Sequence, residues 1–348
     1  MSGENIPYHL RPNKFVERAL FVDILAHVNR YCPISEYLYV SFAGPYLEDF
    51  KAIHASFGNR KMLSLEQSEW VYQRQKFNVP YGCIDCTNKS SQQFITDYTE
   101  ILDSFGQPHV LIWLDYADAA KIRSQLSECE DLVAKLRDLD ILKITVNANP
   151  SSLDGVSDPG DGVNELQVDA PEERRVRRLQ LLTERIGDYL PNGVTAEQMK
   201  HSAYPFLLVH AIRKAVSNAM AGAGDLIFHP LAAYVYKDSH QMLTVTGIVL
   251  AKPDSQHFLE STGLNNYEFA TNNWRDLIRI NVPYLSAREK FYLDSLIYKH
   301  TRKNDRSKLK KATKLKVTLA PTNAANKESA ERYIRFYRHY PHYHRVQY

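Results

Sequence analysis

The run HVLIWLD, His109 to Asp115, constrains this chain more than any other stretch, because it is apolar at consecutive rather than alternate positions. That pattern marks a strand covered on both faces, and such strands belong to parallel sheets flanked by helices. Its surroundings agree. Phe21, Ile24, Leu25 and Val28 fall at helical spacing within residues 13–30, and YLYVSFA (37–43) then reads as a short aromatic and β-branched strand. Gly44 can take a backbone conformation closed to other residues, and Pro45 suits a first helical turn. Tyr46, Phe50, Ile53, His54 and Phe57 follow on one helical face, ended by Gly58. KMLSL (61–65), YGCIDC (81–86) and ILKITV (141–146) read as further strands, with helices over 92–105 and 121–138. Repeated units of this kind predict a doubly wound α/β sheet.

Two β runs, Ile227 to Tyr236 and Met242 to Leu250, are separated only by KDSHQ, so they must be antiparallel. The expected core is a five-stranded parallel sheet closed by an antiparallel hairpin. Between them, residues 149–173 are rich in Ser, Asp, Gly and Pro, without the closing acid of a calcium loop. The region 149–200 therefore reads as an insertion, with Thr195 and Gln198 spaced as a capping box and a new helix from Pro205 to about Met220. Residues 1–251 form the expected sheet domain and 252–348 a mostly helical appendage. Ser286 and Glu289 open a helix there as a second capping box.

Composition narrows the function classes. A chain of 348 residues with 44% hydrophobic and 24% charged residues is ordinary globular material. No window approaches 18 apolar residues and no secretory h-region opens the sequence, so the expectation is a cytoplasmic protein without a membrane partner. Cys83 and Cys86 form a CxxC pair, but nothing nearby completes four ligands, and zinc is not expected. Net charge is only +3, although residues 299–316 hold nine Lys or Arg against one Asp, and many of the 22 tyrosines crowd the end of the chain. Basic residues with aromatic rings suit nucleic acid. Tyr333, Phe336, Tyr337 and Tyr340 also fit one packed helical face.

In doubly wound sheets ligands bind beyond the carboxyl ends of the strands. Gly44, Glu66, Asp85 and Asp115 lie there by this reading, with Asn147 and Asn149 after the fifth strand. Glu66 stands 22 residues past Gly44, the spacing at which an acid reaches both ribose hydroxyls. Asp85 could accept from an adenine amino group. A dinucleotide needs GxGxxG and only one glycine is present, while Glu48 and Asp49 in the next helical turn would repel a diphosphate. No P-loop pattern occurs. S-adenosylmethionine, with no phosphate and a positive sulfonium, suits the acids better.

SFAGPYLEDF with Glu66, the acid at Asp85, WLDYAD with Asp115 and the closing hairpin together resemble the Rossmann-like class I S-adenosylmethionine-dependent methyltransferases, over Tyr37 to Ala251. Within that group the resemblance is closer to bacterial proteins labelled O-methyltransferases, since the [DNS]PP[YF] motif of the amino-methylating groups is replaced by DYAD. It implies a seven-stranded sheet with the last strand antiparallel, and S-adenosyl-L-methionine as cofactor. The implied cofactor residues are Ser41, Ala43, Gly44, Tyr46, Glu66, Gln67, Asp85 and Asp115. Gly44 would approach the methionine part, Glu66 the ribose, Asp85 the adenine, and Asp115 the transferred methyl. The chain departs from the family where Ser41 or Phe42 replaces the first-strand acid and Pro45 or Tyr46 the second glycine. For a hydroxyl acceptor Asp115 and Asp118 are the candidate bases, with His229 third. Asp115 with Asn147 or Asn149 is a weak set for Mg²⁺, and no metal is expected. Two other readings stand beside this one: a catalytically silent relative acting through a protein partner, and nucleic-acid binding through residues 299–348.

Overall fold

The computed structural model describes residues 11–155, 171–301 and 317–342. They fall into two compact units. The first holds residues 21–235 and 239–279, and the second holds the start of the first helix, residues 236–238 and residues from Ile280 onward. Residues 252–279, expected with the C-terminal appendage, group with the sheet.

The first unit is built on a sheet whose strands lie in the order β3-β2-β1-β4-β5-β7-β6-β8. These are β1 (Leu38–Ser41), β2 (Lys61–Leu65), β3 (Ile84–Thr87), β4 (Val110–Asp115), β5 (Ile141–Asn147), β6 (Leu226–Lys237), β7 (Gln241–Ala251) and β8 (Ile278–Ile280). β1 to β5 pair in parallel, and β7 runs antiparallel to β5, with Ile141 opposite Ile248 and Asn147 opposite Met242. The mostly parallel sheet with an antiparallel hairpin is as the sequence implied. The eighth strand was not expected, because three residues are too few for alternation to show.

Alternation along the strands divides the core into two layers. Leu38, Val40, Ile112, Leu142 and Ile144 join the cluster formed with Phe94, Leu126, Cys129 and Ile212 from the helices on one face. On the other face Tyr39 meets Phe50 edge-on at 4.8 Å and Trp113 meets Phe21 at 5.5 Å. Lys143, in the middle of β5, is fully buried there, its Nζ 3.5 Å from the Trp113 ring centroid and 4.0 Å from that of Phe21. An ammonium over aromatic faces is held by the ring quadrupoles.

The helices that matter for the site are α1 (Pro12–Val28), α2 (Glu48–Phe57), α3 (Glu69–Asn78), α4 (Ser91–Thr96), α5 (Tyr98–Ser104), α6 (Ile122–Val133), α7 (Pro171–Ile186) and α8 (Tyr204–Met220). The helix expected over 92–105 is two helices, broken where Asp97 takes φ −88°, ψ 11°. The capping box at Thr195 and Gln198 is formed.

In the second unit the side chain of Asn13 is a hub. Its Nδ2 donates to Lys237 O at 3.0 Å, and its Oδ1 accepts from Val282 N at 2.7 Å. Ser286 and Glu289 close their capping box, with Ser286 N donating to Glu289 Oε2 at 2.7 Å and Glu289 N to Ser286 Oγ at 3.3 Å. Tyr333, Phe336 and Tyr340 are buried, and Tyr340 OH donates to Pro283 O at 3.0 Å. These tyrosines pack a helix end. The basic run expected to bind nucleic acid lies outside the described residues apart from its first three.

Candidate functional site

The register of the parallel strands fixes the heights of the candidate residues. Ser41, the last residue of β1, lies opposite Ser64 in β2 and Trp113 in β4. Glu66 is two residues past Ser64, and Asp115 two past Trp113. Both carboxylate-bearing residues thus stand at one height, on either side of the chain leaving β1. Two strand spacings separate them, about 10 Å.

The chain between them is a single tight turn. Gly44 has φ 57° and opens a short 3₁₀ turn, Gly44–Tyr46, and Leu47 then takes φ 49°, ψ 35°, a left-handed conformation costing a branched residue about 1–2 kcal/mol. Complete burial of Leu47 between the turn and α2 offsets that cost. Ala43 is buried beside it. Ser41 is also buried, and its Oγ has no hydrogen-bond partner among the described residues. An orphaned hydroxyl at a strand end is what a polar ligand would satisfy.

Tyr46 belongs to the α3 side of this turn. The Arg74 guanidinium lies 5.8 Å from its ring centroid, and Asn78 Nδ2 donates to Pro45 O at 2.8 Å. Glu66 is half-buried; its Oε1 accepts from Ser68 N at 2.8 Å and so orders the entry to α3. Gln67, next in the chain, is exposed, and its carbonyl, like that of Glu66, accepts from Asn88 Nδ2.

Asp85 is not at this edge. It sits inside β3 opposite Leu63, two residues short of the strand's end, and it is exposed. The strand starts late, at Ile84, because Tyr81 to Cys83 form a turn, and pairing with β2 then carries it on to Thr87. At the height of Glu66 stand Thr87, the last residue of β3, whose carbonyl accepts from Glu66 N, and Asn88 just past it.

Across the turn Phe42 and Tyr116 face each other with ring centroids 5.7 Å apart, bridging the chains that leave β1 and β4. Tyr116 OH donates to Glu128 Oε2 at 2.5 Å. Burial first and the Glu128 charge second push this phenol well above its ordinary value of 10.0, so it is a neutral donor near pH 7. Asp118 is exposed, and its Oδ1 accepts from Ala120 N at 2.9 Å, capping the turn Ala119–Lys121. Asn147 ties two loops together. Its Nδ2 donates to Ala117 O at 3.3 Å, and its Oδ1 accepts from Asn149 N at 2.9 Å. Asn149 Oδ1 in turn accepts from Ser151 N at 3.2 Å. Among the described residues no group of three His, Cys, Asp or Glu could hold a metal ion.

His229 does not reach this edge. It starts β6, beside Gly247, which pairs with Leu142 near the beginning of β5. That is the opposite end of the sheet. Tyr116, Thr87 and Asn88 were not singled out from the sequence, and Phe42 only as a replacement for the first-strand acid, though all four stand at this edge. Their place depends on register, which no local pattern states.

Several solved structures are similar to parts of this chain. Trm1 from Pyrococcus horikoshii, in complex with S-adenosyl-L-methionine, is similar at 14% identity and a TM-score of 0.42, over 70% of this chain and 58% of that one. This chain therefore matches less than two thirds of the length of Trm1. Cofactor-bound Rv0187 from MTB is similar at 9% identity and 0.36, over 68% and 80% of the two chains. A Listeria monocytogenes protein described as a putative S-adenosylmethionine dependent methyltransferase is similar at 10% and 0.36, over 66% and 98%. No curated protein matches the chain. A family model described as "Putative O-methyltransferase" matches residues 6–348, nearly the whole length, and the chain belongs to that family.

Proposed function

We propose that the protein binds S-adenosyl-L-methionine across the turn after β1 and transfers its methyl group to an oxygen acceptor. One observation carries this reading: Glu66 and Asp115 stand at one height on either side of a glycine turn that has no phosphate-binding features. Glu66 accepts from the ribose hydroxyls. Gly44, having no side chain, lets the methionine end approach the backbone, and the Ser41 hydroxyl supplies a buried donor there. Thr87 and Asn88 take the adenine side in place of Asp85. The cofactor, when bound, supplies an electrophilic methyl on a positive sulfonium.

The protein's part in such a displacement is alignment, with proximity and orientation supplying most of the rate. Asp115 ends a rigid central strand and takes the proton of the acceptor hydroxyl as the new O–C bond forms and the S–C bond breaks. Asp118 is exposed to water, whereas Asp115 is half-buried at the end of β4, and that placement makes Asp115 the better base. Phe42 and Tyr116 cover the space between β1 and β4 and limit water there. Asn147 holds the β4 and β5 loops in one arrangement. Calorimetric titration of the full chain with S-adenosylmethionine tests the proposal; heat that saturates at one site per chain supports it, and no binding at millimolar cofactor contradicts it.

A further inference from the structure

Helix α3 carries two aromatic rings that the described residues of its own unit leave mostly exposed, and Tyr81, stacked on His54, extends them. Trp70 is 60% exposed and Phe77 91%, and Tyr81 just beyond the helix is 37% exposed. Trp70, Arg74 and Phe77 are spaced i, i+4, i+7, so they line one face over about 10 Å. Arg74 is fixed in the middle, its guanidinium 5.0 Å from the Trp70 ring centroid and 5.8 Å from that of Tyr46. Such aromatic surface is costly to leave in water, and Trp, Tyr and Arg are the residues that dominate binding energy at interfaces.

We infer that this stripe is the contact surface for a second copy of the chain. The stripe is self-complementary. A two-fold axis through Gln73 and Arg74 sets each Trp70 against the partner's Phe77, and each Arg74 within one turn of the partner's Glu69. Such an isologous contact closes at two copies. The exposed parts of the three rings offer on the order of 400 Å² per copy, about 800 Å² for the pair, before Gln73, Arg74 and Lys76 are added. Specific interfaces begin near 1,200 Å², so the contact is a reversible one of modest affinity. The neighbouring strand β3 is the open edge of the sheet and extends the same surface. Glu69 and the exposed Asp85 balance Arg74 and Lys76, so this surface carries no net positive charge to draw a polyanion.

Light scattering on the full chain over a dilution series tests the inference. The expected result is twice the chain mass at the highest concentrations, falling to one chain mass on dilution. Phe77→Glu should give one chain mass throughout with an unchanged melting temperature, since the position is solvent-exposed. Trp70→Ala, which also favours the helix, should weaken the dimer at least tenfold, while Lys135→Glu on a distant exposed position should leave it intact. A wild-type chain that is monomeric throughout overturns the inference, whether or not it binds a single-stranded oligonucleotide. A dimer that survives Phe77→Glu overturns it equally.

Discussion

Replacing Glu66 by alanine removes the group on which the cofactor reading depends most. The carboxylate comes directly after β2 and is half-buried, and one oxygen accepts from Ser68 N. If it also accepts from two ribose hydroxyls, each charge-assisted bond contributes about 1.5–3 kcal/mol. Partial exposure favours the lower end, so the pair is worth about 3 kcal/mol, a loss of roughly 100-fold in affinity. Glu66→Gln keeps a neutral acceptor and should lose about tenfold. The alanine variant also gives up the bond to Ser68 N at the start of α3, about 1 kcal/mol of stability, which lowers the melting temperature by a few degrees. Isothermal titration with S-adenosylmethionine and S-adenosylhomocysteine reads the affinity, and scanning calorimetry separates it from the stability effect. A folded Glu66→Ala variant whose Kd stays within twofold of wild type would refute the assignment.

Other positions give independent checks. Gly247→Ala places a Cβ 2.1 Å from Phe228 Cε1 and 2.9 Å from the His229 carbonyl oxygen, so the Phe228 ring must leave its stack on Trp274; a loss of about 3 kcal/mol is expected in denaturant unfolding. Burial holds His229 below its ordinary value of 6.5, so the unfolded chain binds more protons there. That contribution is complete above pH 6.5 and is lost as pH falls below it; His229→Gln should flatten this limb of a melting-temperature profile without changing cofactor affinity. Asp154→Ala removes the buried carboxylate that Arg178 Nε and Arg177 reach at 3.0 Å, and on the order of 3 kcal/mol should be lost in chemical denaturation. A loss below about 1 kcal/mol would mean the pair is not held this way.

What the sequence made legible were features that depend on neighbouring residues. The continuous apolar run at 109–115 announced a strand buried on both faces, and every residue from Val110 to Leu114 is buried. The capping boxes at Thr195 and Ser286 were readable because three-residue spacing is itself the mechanism. The site was legible only in part. Glu66 follows β2 and Asp115 ends β4, strand ends that the turn residues mark, whereas YGCIDC gives no sign of where its strand begins, and Asp85 lies two residues short of that strand's end. The pair formed by Phe42 and Tyr116 depends on two strands separated by some 70 residues in the chain. Only their register brings them face to face. The short strand at Ile278 and the break at Asp97 were hidden for a different reason, since each departs from the local period by only a residue or two.

The most direct test of the account is a crystal structure of the full chain with S-adenosylhomocysteine. The ligand is expected across the turn Gly44–Tyr46, with both ribose hydroxyls within hydrogen-bond distance of Glu66, the adenine beside Thr87 and Asn88, and the sulfur on the Asp115 side. A ligand bound elsewhere, or one whose ribose makes no contact with Glu66, would contradict it.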